Sequence, residues 1–115
     1  MQNLEQIRAA SAIAAAQANV SYSGKEGGGN VAKRIPPLII NYGLLQFLAY
    51  ADSEGGAERN IADFLAKHLS DVGIIAKCDD TKGLIQALMQ GDSQLLKRAT
   101  AETMAWFNYA RRFIK

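Results

Sequence analysis

Ile61, Phe64, Leu65, Leu69 and Val72 recur at spacings of three and four. Only a helix gathers such a set on one face, because its period is close to 3.6 residues. The stripe predicts an amphipathic helix over 58–72, with Gly73 as its natural stop. The same spacing returns along the chain, and no segment alternates apolar and polar residues over a length useful for a strand. At 115 residues there is room for one domain and one core. The expected fold is all-α, a single compact bundle-like domain of about six helices over 1–115.

Asn3 can cap a first helix, with Gln6 placed to answer it in a capping box. Leu4, Ile7, Ala10 and Ala14 mark its apolar face, and it should end near Tyr22. Alanine is rich from Ala9 to Ala18, which favours helix and lets a neighbour approach closely. Gly24 to Gly29 reads GKEGGG and predicts a mobile glycine-rich loop at 23–29. A phosphate-binding loop is excluded there. No Ser or Thr follows Lys25, no spaced glycine precedes it, and no strand leads in. Asn30 can cap the next helix, whose stripe is Val31, Ile35, Leu38, Ile39 and Tyr42. Pro36 and Pro37 should kink or restart it, and Gly43 should break it again.

Leu44 to Glu54 reads as a short helix with Leu44, Phe47, Leu48 and Ala51 on one face. Leu45 and Ala49 extend that face, which predicts a helix central to the core. Ile74 to Asp80 is a connector in which Ile74 and Ile75 can be briefly extended. Thr81 is the expected cap of a helix running to Gly91, and Asp92 of the last one. The final stripe is Leu95, Ala99, Thr103, Trp106, Phe107, Ala110, Phe113 and Ile114.

Composition narrows the class. With 49% apolar and 21% charged residues, the chain is expected to be soluble and globular, not disordered. The most apolar span, Pro36 to Ala51, is too short and too interrupted to cross a membrane. No basic-then-apolar leader opens the sequence, so no secretion signal is expected. One cysteine, Cys78, permits no internal disulfide and fits a reducing, cytoplasmic compartment.

Enzyme chemistry needs a constellation, and the residues supply none. His68 lies on the buried edge of its helix and reads as a half-buried core histidine. One Cys and one His cannot build a closed four-ligand zinc site. Asp79-Asp80 could hold Mg²⁺ with a phosphate, but a solvated turn leading into a helix is the commoner explanation. Glu26 and Glu102 have no spacing partner for acid–base work. No metal, cofactor or catalytic residue is assigned.

Charge is more informative. The net value is only +2, yet 52–92 holds eight acids against four bases, while 97–115 holds five bases against one acid. Lys33 and Arg34 lie off the stripe of their helix, and Asn108, Arg111, Arg112 and Lys115 share a face at i, i+3, i+4 and i+7. Both sets should project outward from helices, where guanidinium groups suit phosphate oxygens. A solvated face, or a basic last turn complementing the helix dipole, accounts for the same residues without a ligand.

Three blocks make the chain resemble the small helical subunit of the Cmr complex, the type III-B CRISPR RNA-targeting effector. The first is Leu4, Arg8, Ala9 and Ala12 with the alanine-rich helix. The second is the glycine loop followed by Val31-Ala32-Lys33-Arg34-x-Pro36-x-Leu38-Ile39, Asn41 and Gly43-Leu44. The third is Thr100-x-Glu102 and Asn108-Tyr109-Ala110-Arg111-Arg112-Phe113. Tyr42 between Asn41 and Gly43, and Tyr109 in place of a tryptophan, depart from the family pattern.

The resemblance implies a non-catalytic subunit whose copies stack head-to-tail beside backbone subunits holding the guide RNA, with a large polymerase-like subunit also present. Its cations are implied to touch guide and target RNA phosphates without reading bases. Carried over by position, these are Lys33, Arg34, Arg111 and Arg112; Lys25 and Lys115 are added from spacing. Two other classes remain open. One is a helical interaction module whose basic patches meet acidic faces of neighbours. The other is a helix-turn-helix DNA reader, against which the polar residues stand at the end of the last helix, not its start.

Overall fold

The computed structural model describes residues 2–19 and 28–114. Six helices run in order: α1 Leu4–Asn19, α2 Gly28–Tyr42, α3 Leu44–Glu54, α4 Gly56–Asp71, α5 Thr81–Gln90 and α6 Ser93–Phe113. No strand occurs among the described residues. The fold is all-α and a single domain, as the periodicity predicts. Its extents are 37 × 36 × 23 Å, and the short one is the thickness of two packed helices.

α1 packs most extensively on α6 and also on α4; α2 packs on α6 and α3; α3 joins α4 and α5. The core is centred on Trp106, Phe107, Ile61, Leu65, Leu69 and Leu48, all essentially inaccessible. Trp106 meets Phe107 edge-on, with centroids 5.0 Å apart. Within α3, Leu44, Phe47, Leu48 and Ala51 are the buried face expected for it. The helix is not central, however, because Ala49 and Tyr50 are exposed.

Caps follow the sequence at most ends. Asn3 Oδ1 accepts from the Gln6 amide at 2.9 Å, and Gln6 Oε1 accepts from the Asn3 amide at 2.8 Å, closing the capping box. Asp92 caps α6 through the Leu95 amide at 2.9 Å. For α5 the cap is Asp80, which accepts from the Gly83 amide at 2.7 Å, and not Thr81. Thr81 instead donates its amide and its hydroxyl to Asp63 Oδ1 at 2.8 and 2.7 Å, tying α5 to α4. Asp80 is thereby a helix lead-in. Ile74 and Ile75 lie in turns and bends, not in extended chain.

Two expectations about faces are overturned. On α1 the buried residues are Ala12, Ala15 and Ala16, while Leu4, Ala10 and Ala14 are exposed. Alanine fits either face, so its spacing says little about which side turns inward. On α2 Val31, Ala32, Ile35 and Ile39 are buried, but Tyr42 is 62% exposed. α2 begins at Gly28, so Asn30 lies within the helix and does not cap it. The segment 20–27 lies outside the described residues, and with it the expected helix end near Tyr22 and most of the expected glycine loop.

The prolines do not restart α2, which continues through both to Tyr42. Pro36 and Pro37 have no amide for the carbonyls of Ala32 and Lys33. The burial of Val31, Ile35 and Ile39 on either side holds the turn in place. The sharp corner comes later, at Gly43, the one residue between α2 and α3. Its amide donates to the Ile39 carbonyl at 2.8 Å, and its carbonyl accepts from the Phe47 amide at 3.1 Å. Its φ of 92° and ψ of 158° lie in a region open essentially to glycine alone. Gly55 repeats the device between α3 and α4, with φ 70° and ψ −156°.

A Cβ at Gly43 would meet nothing within 4 Å, so a substitution there is penalised through the backbone only. Gly43→Ala should lower unfolding free energy by about 1–3 kcal/mol in urea titration. A neutral effect would show that the corner carries no such constraint.

Candidate nucleic-acid interface

The ionisable groups divide into one set turned inward and another turned outward. The inward set centres on Glu102 of α6, a carboxylate only 6% exposed. Arg8 of α1 donates to it through Nε and Nη2, both at 2.7 Å, in a bidentate pair. His68 of α4 places Nε2 2.9 Å from Glu102 Oε2. Glu102 as a carboxylate can only accept, so His68 donates from Nε2. Its Nδ1 is then a bare acceptor, buried and without a partner.

Burial pushes Glu102 up, but hydrogen bonds from Arg8 and His68, with their charges, bring it below the ordinary carboxylate value. The hydrogen bond to Glu102 raises Arg8. Desolvation lowers His68 more than Glu102 lifts it, so the imidazole is neutral at neutral pH. The ring also stacks on Trp106, with centroids 6.1 Å apart. Two more bonds join α1 to α6. The Trp106 indole donates to Ser11 Oγ at 3.1 Å, and the Tyr109 hydroxyl donates to Glu5 Oε1 at 2.7 Å.

This cluster corrects one expectation, the half-buried His68, and adds partners for Glu102 that spacing did not offer. His68 is fully buried, not half-buried, and Glu102 has two ionisable partners. They lie 94 and 34 residues away, so no local spacing could pair them. A usable signal was present: Glu102 falls three residues after Ala99 and four before Trp106, inside an apolar stripe. A carboxylate there demands a buried cation or donor.

The outward set contains the expected RNA contacts. Lys33 and Arg34 are exposed on α2, and Arg111 and Arg112 are exposed in the last turn of α6. α2 and α6 pack on each other, so the two pairs stand on adjoining helices. Lys25 and Lys115 lie outside the described residues. Arg34 has a loose neighbour, Glu58 of α4, at 3.9 Å, beyond hydrogen-bond range. No ion pair is seen for Lys33, Arg111 or Arg112 among the described residues. Cys78 is half-buried, and burial raises its thiol above the ordinary value. Among the described residues no group of three or more His, Cys, Asp and Glu side chains could hold a metal ion. No helix there is long and apolar enough to cross a membrane.

A family model for a CRISPR-associated protein, Cas_Cmr5, matches residues 4–115. The chain belongs to the Cmr5 family. A crystal structure of a CRISPR-associated Cmr5 family protein from Thermus thermophilus superposes with a TM-score of 0.81. It is 24% identical and covers 99% of this chain and 100% of that one, a likeness of fold. No curated protein matches the chain. Membership of the Cmr5 family implies a subunit of a type III-B CRISPR complex, alongside other Cmr subunits. Two residues that carry the family resemblance, Arg8 and Glu102, are hydrogen-bonded to each other across α1 and α6.

The buried cluster sets a pH dependence. His68 is the chain's single histidine. The unfolded chain takes up a proton on it near pH 6.5, while the folded chain resists. Stability should therefore fall as pH drops below about 6.5, by up to about 1.4 kcal/mol per pH unit. Thermal melts from pH 7.5 to 5.5 check this, and His68→Gln should flatten the slope. Glu102→Gln at pH 7.5 should cost about 1–3 kcal/mol, because it removes the charge that the part-buried Arg8 pairs with.

Proposed function

We propose that the chain is a non-catalytic small subunit of the Cmr ribonucleoprotein, stacking head-to-tail as a filament and bracing guide and target RNA through phosphate contacts. The observation that carries this reading is the separation of charge. The interior ions neutralise one another, while Lys33, Arg34, Arg111 and Arg112 stand exposed on packed helices. Cations held this way lose little freedom when they meet a phosphate. Phosphate contacts of this kind are strong at low salt and indifferent to sequence. In this reading Lys25 and Lys115 also contact phosphates, no metal or cofactor is needed, and the cutting belongs to other subunits. The subunit works in the cytoplasm beside the backbone and large polymerase-like subunits.

Reversal of the four described cations to glutamate should leave the chain folded by circular dichroism. It should also weaken target RNA retention by the assembled complex at least tenfold. Unchanged assembly and unchanged affinity would contradict the reading. Incubation of the purified chain with RNA or DNA and Mg²⁺ should release no cleavage product.

A second reading has its own observation: α2 already points one cation, Arg34, at a carboxylate of α4. The basic patches would then meet the acidic 52–92 segment of a neighbouring copy, in a heterologous contact. That version requires salt-sensitive self-association without RNA, readable by sedimentation at high protein concentration. Its absence would eliminate the version.

A further inference from the structure

We infer that the groove between α2 and α3 is a platform for an unpaired stretch of RNA, with Tyr42 and Tyr50 stacking bases and Lys33 and Arg34 receiving the adjoining phosphates. The inference rests on the RNA-contact reading above and adds a base-stacking element to it.

Gly43 folds α3 back beside α2, and two open hollows lie along the seam. One, of about 300 Å³, is lined by Leu38, Tyr42, Gln46, Phe47 and Tyr50. The other, of about 540 Å³, shares Leu38 and Tyr50 and is bordered by Lys33, Arg34 and Glu58. The two hollows adjoin at those shared residues along the groove. Along α2 its wall is Arg34, Leu38 and Tyr42, at i, i+4 and i+8 on a single ridge. Facing it, Gln46 and Tyr50 repeat the four-residue step on α3.

The groove thus grades from aromatic to cationic over eight helical residues, about 12 Å. A stacked strand advances about 3.4 Å per nucleotide, so three or four nucleotides match that length. Tyr42 is 62% exposed and Tyr50 44%. Bases stack on aromatic rings whatever their identity, and a cation beside the ring answers the phosphate. The charge favours an anion over an apolar helix, and the exposed rings of Tyr42 and Tyr50 favour one that carries bases over an acidic peptide tail. Among the described residues lining the larger hollow are two cations, Lys33 and Arg34, and one carboxylate, Glu58, and the most exposed aliphatic residues, Ile40 and Met89, lie outside both hollows. A protein neighbour would be expected to cover those two.

The test compares a 12-nucleotide oligoadenylate with an abasic strand of equal length and charge, by fluorescence anisotropy at low salt, on the full chain. The adenylate should bind at least tenfold more tightly. Tyr42→Ala should erase about that factor for the adenylate and leave the abasic strand unchanged, while Tyr42→Phe, which keeps the ring, retains binding. Lys33→Gln with Arg34→Gln should weaken both strands. Equal affinity for the two strands overturns the platform. So does a Tyr42→Ala chain that binds adenylate normally, or failure of the chain to bind either strand. If the strands bind equally but the cation variants still weaken them, the phosphate reading stands and only the platform falls. A Tyr42→Ala chain that instead loses self-association without RNA makes the groove a contact between copies and overturns the proposal.

Discussion

Glu102 ties three helices together. Its carboxylate takes two bonds from Arg8 of α1 and one from His68 of α4, and it sits on α6 between Ala99 and Trp106. An isolated charge at such a depth would cost several kcal/mol. Paired on both sides, it becomes directional. α1 needs that direction, since its buried side is mostly alanine, which contributes little area and little shape. Ser11 on the Trp106 indole and Glu5 on the Tyr109 hydroxyl complete the same seam. The position of α1 on α6 is therefore set by polar contacts more than by apolar volume.

With Arg8 and Glu102 paired, the other described cations are exposed. Those on α2 belong to a frame made stiff by short connections. One glycine joins α2 to α3 and another joins α3 to α4, so little slack exists between the helices. Lys33 and Arg34 are fixed upstream of that corner by Val31, Ile35 and Ile39, which are buried. A subunit that braces a nucleic-acid strand needs this combination: a core that does not yield, and cations whose positions are settled before the strand arrives. In the proposed platform, the aromatic residues along the α2–α3 seam would extend the same logic from phosphates to bases.

The helices themselves were legible in the residues, because long apolar stripes such as Ile61, Leu65 and Leu69 admit one period only. Asn3, Gln6 and Asp92 announced their caps, and Gly43 announced its break. Other features were hidden for identifiable reasons. Alanine carries no face, so α1 was turned the wrong way. Two prolines outweighed their surroundings on paper, but tertiary burial carried α2 through them. Thr81 and Asp80 are both good cap residues, and only the position of Asp63 decides between them. The outward cations were visible as residues off the stripes. For the Arg8–Glu102–His68 cluster, Glu102 inside an apolar stripe signals a buried partner, but its members are too far apart in the chain for spacing to name that partner.

The central claim is that exposed, preorganised cations meet RNA phosphates. The salt dependence of target RNA affinity tests it most directly, measured on the complex assembled with the natural chain and with one in which Lys33, Arg34, Arg111 and Arg112 are all glutamine. The account predicts that the slope of log affinity against log salt becomes shallower by about 0.7 for each phosphate contact removed, and by nearly three if all four are made. An identical slope for the two complexes would contradict it.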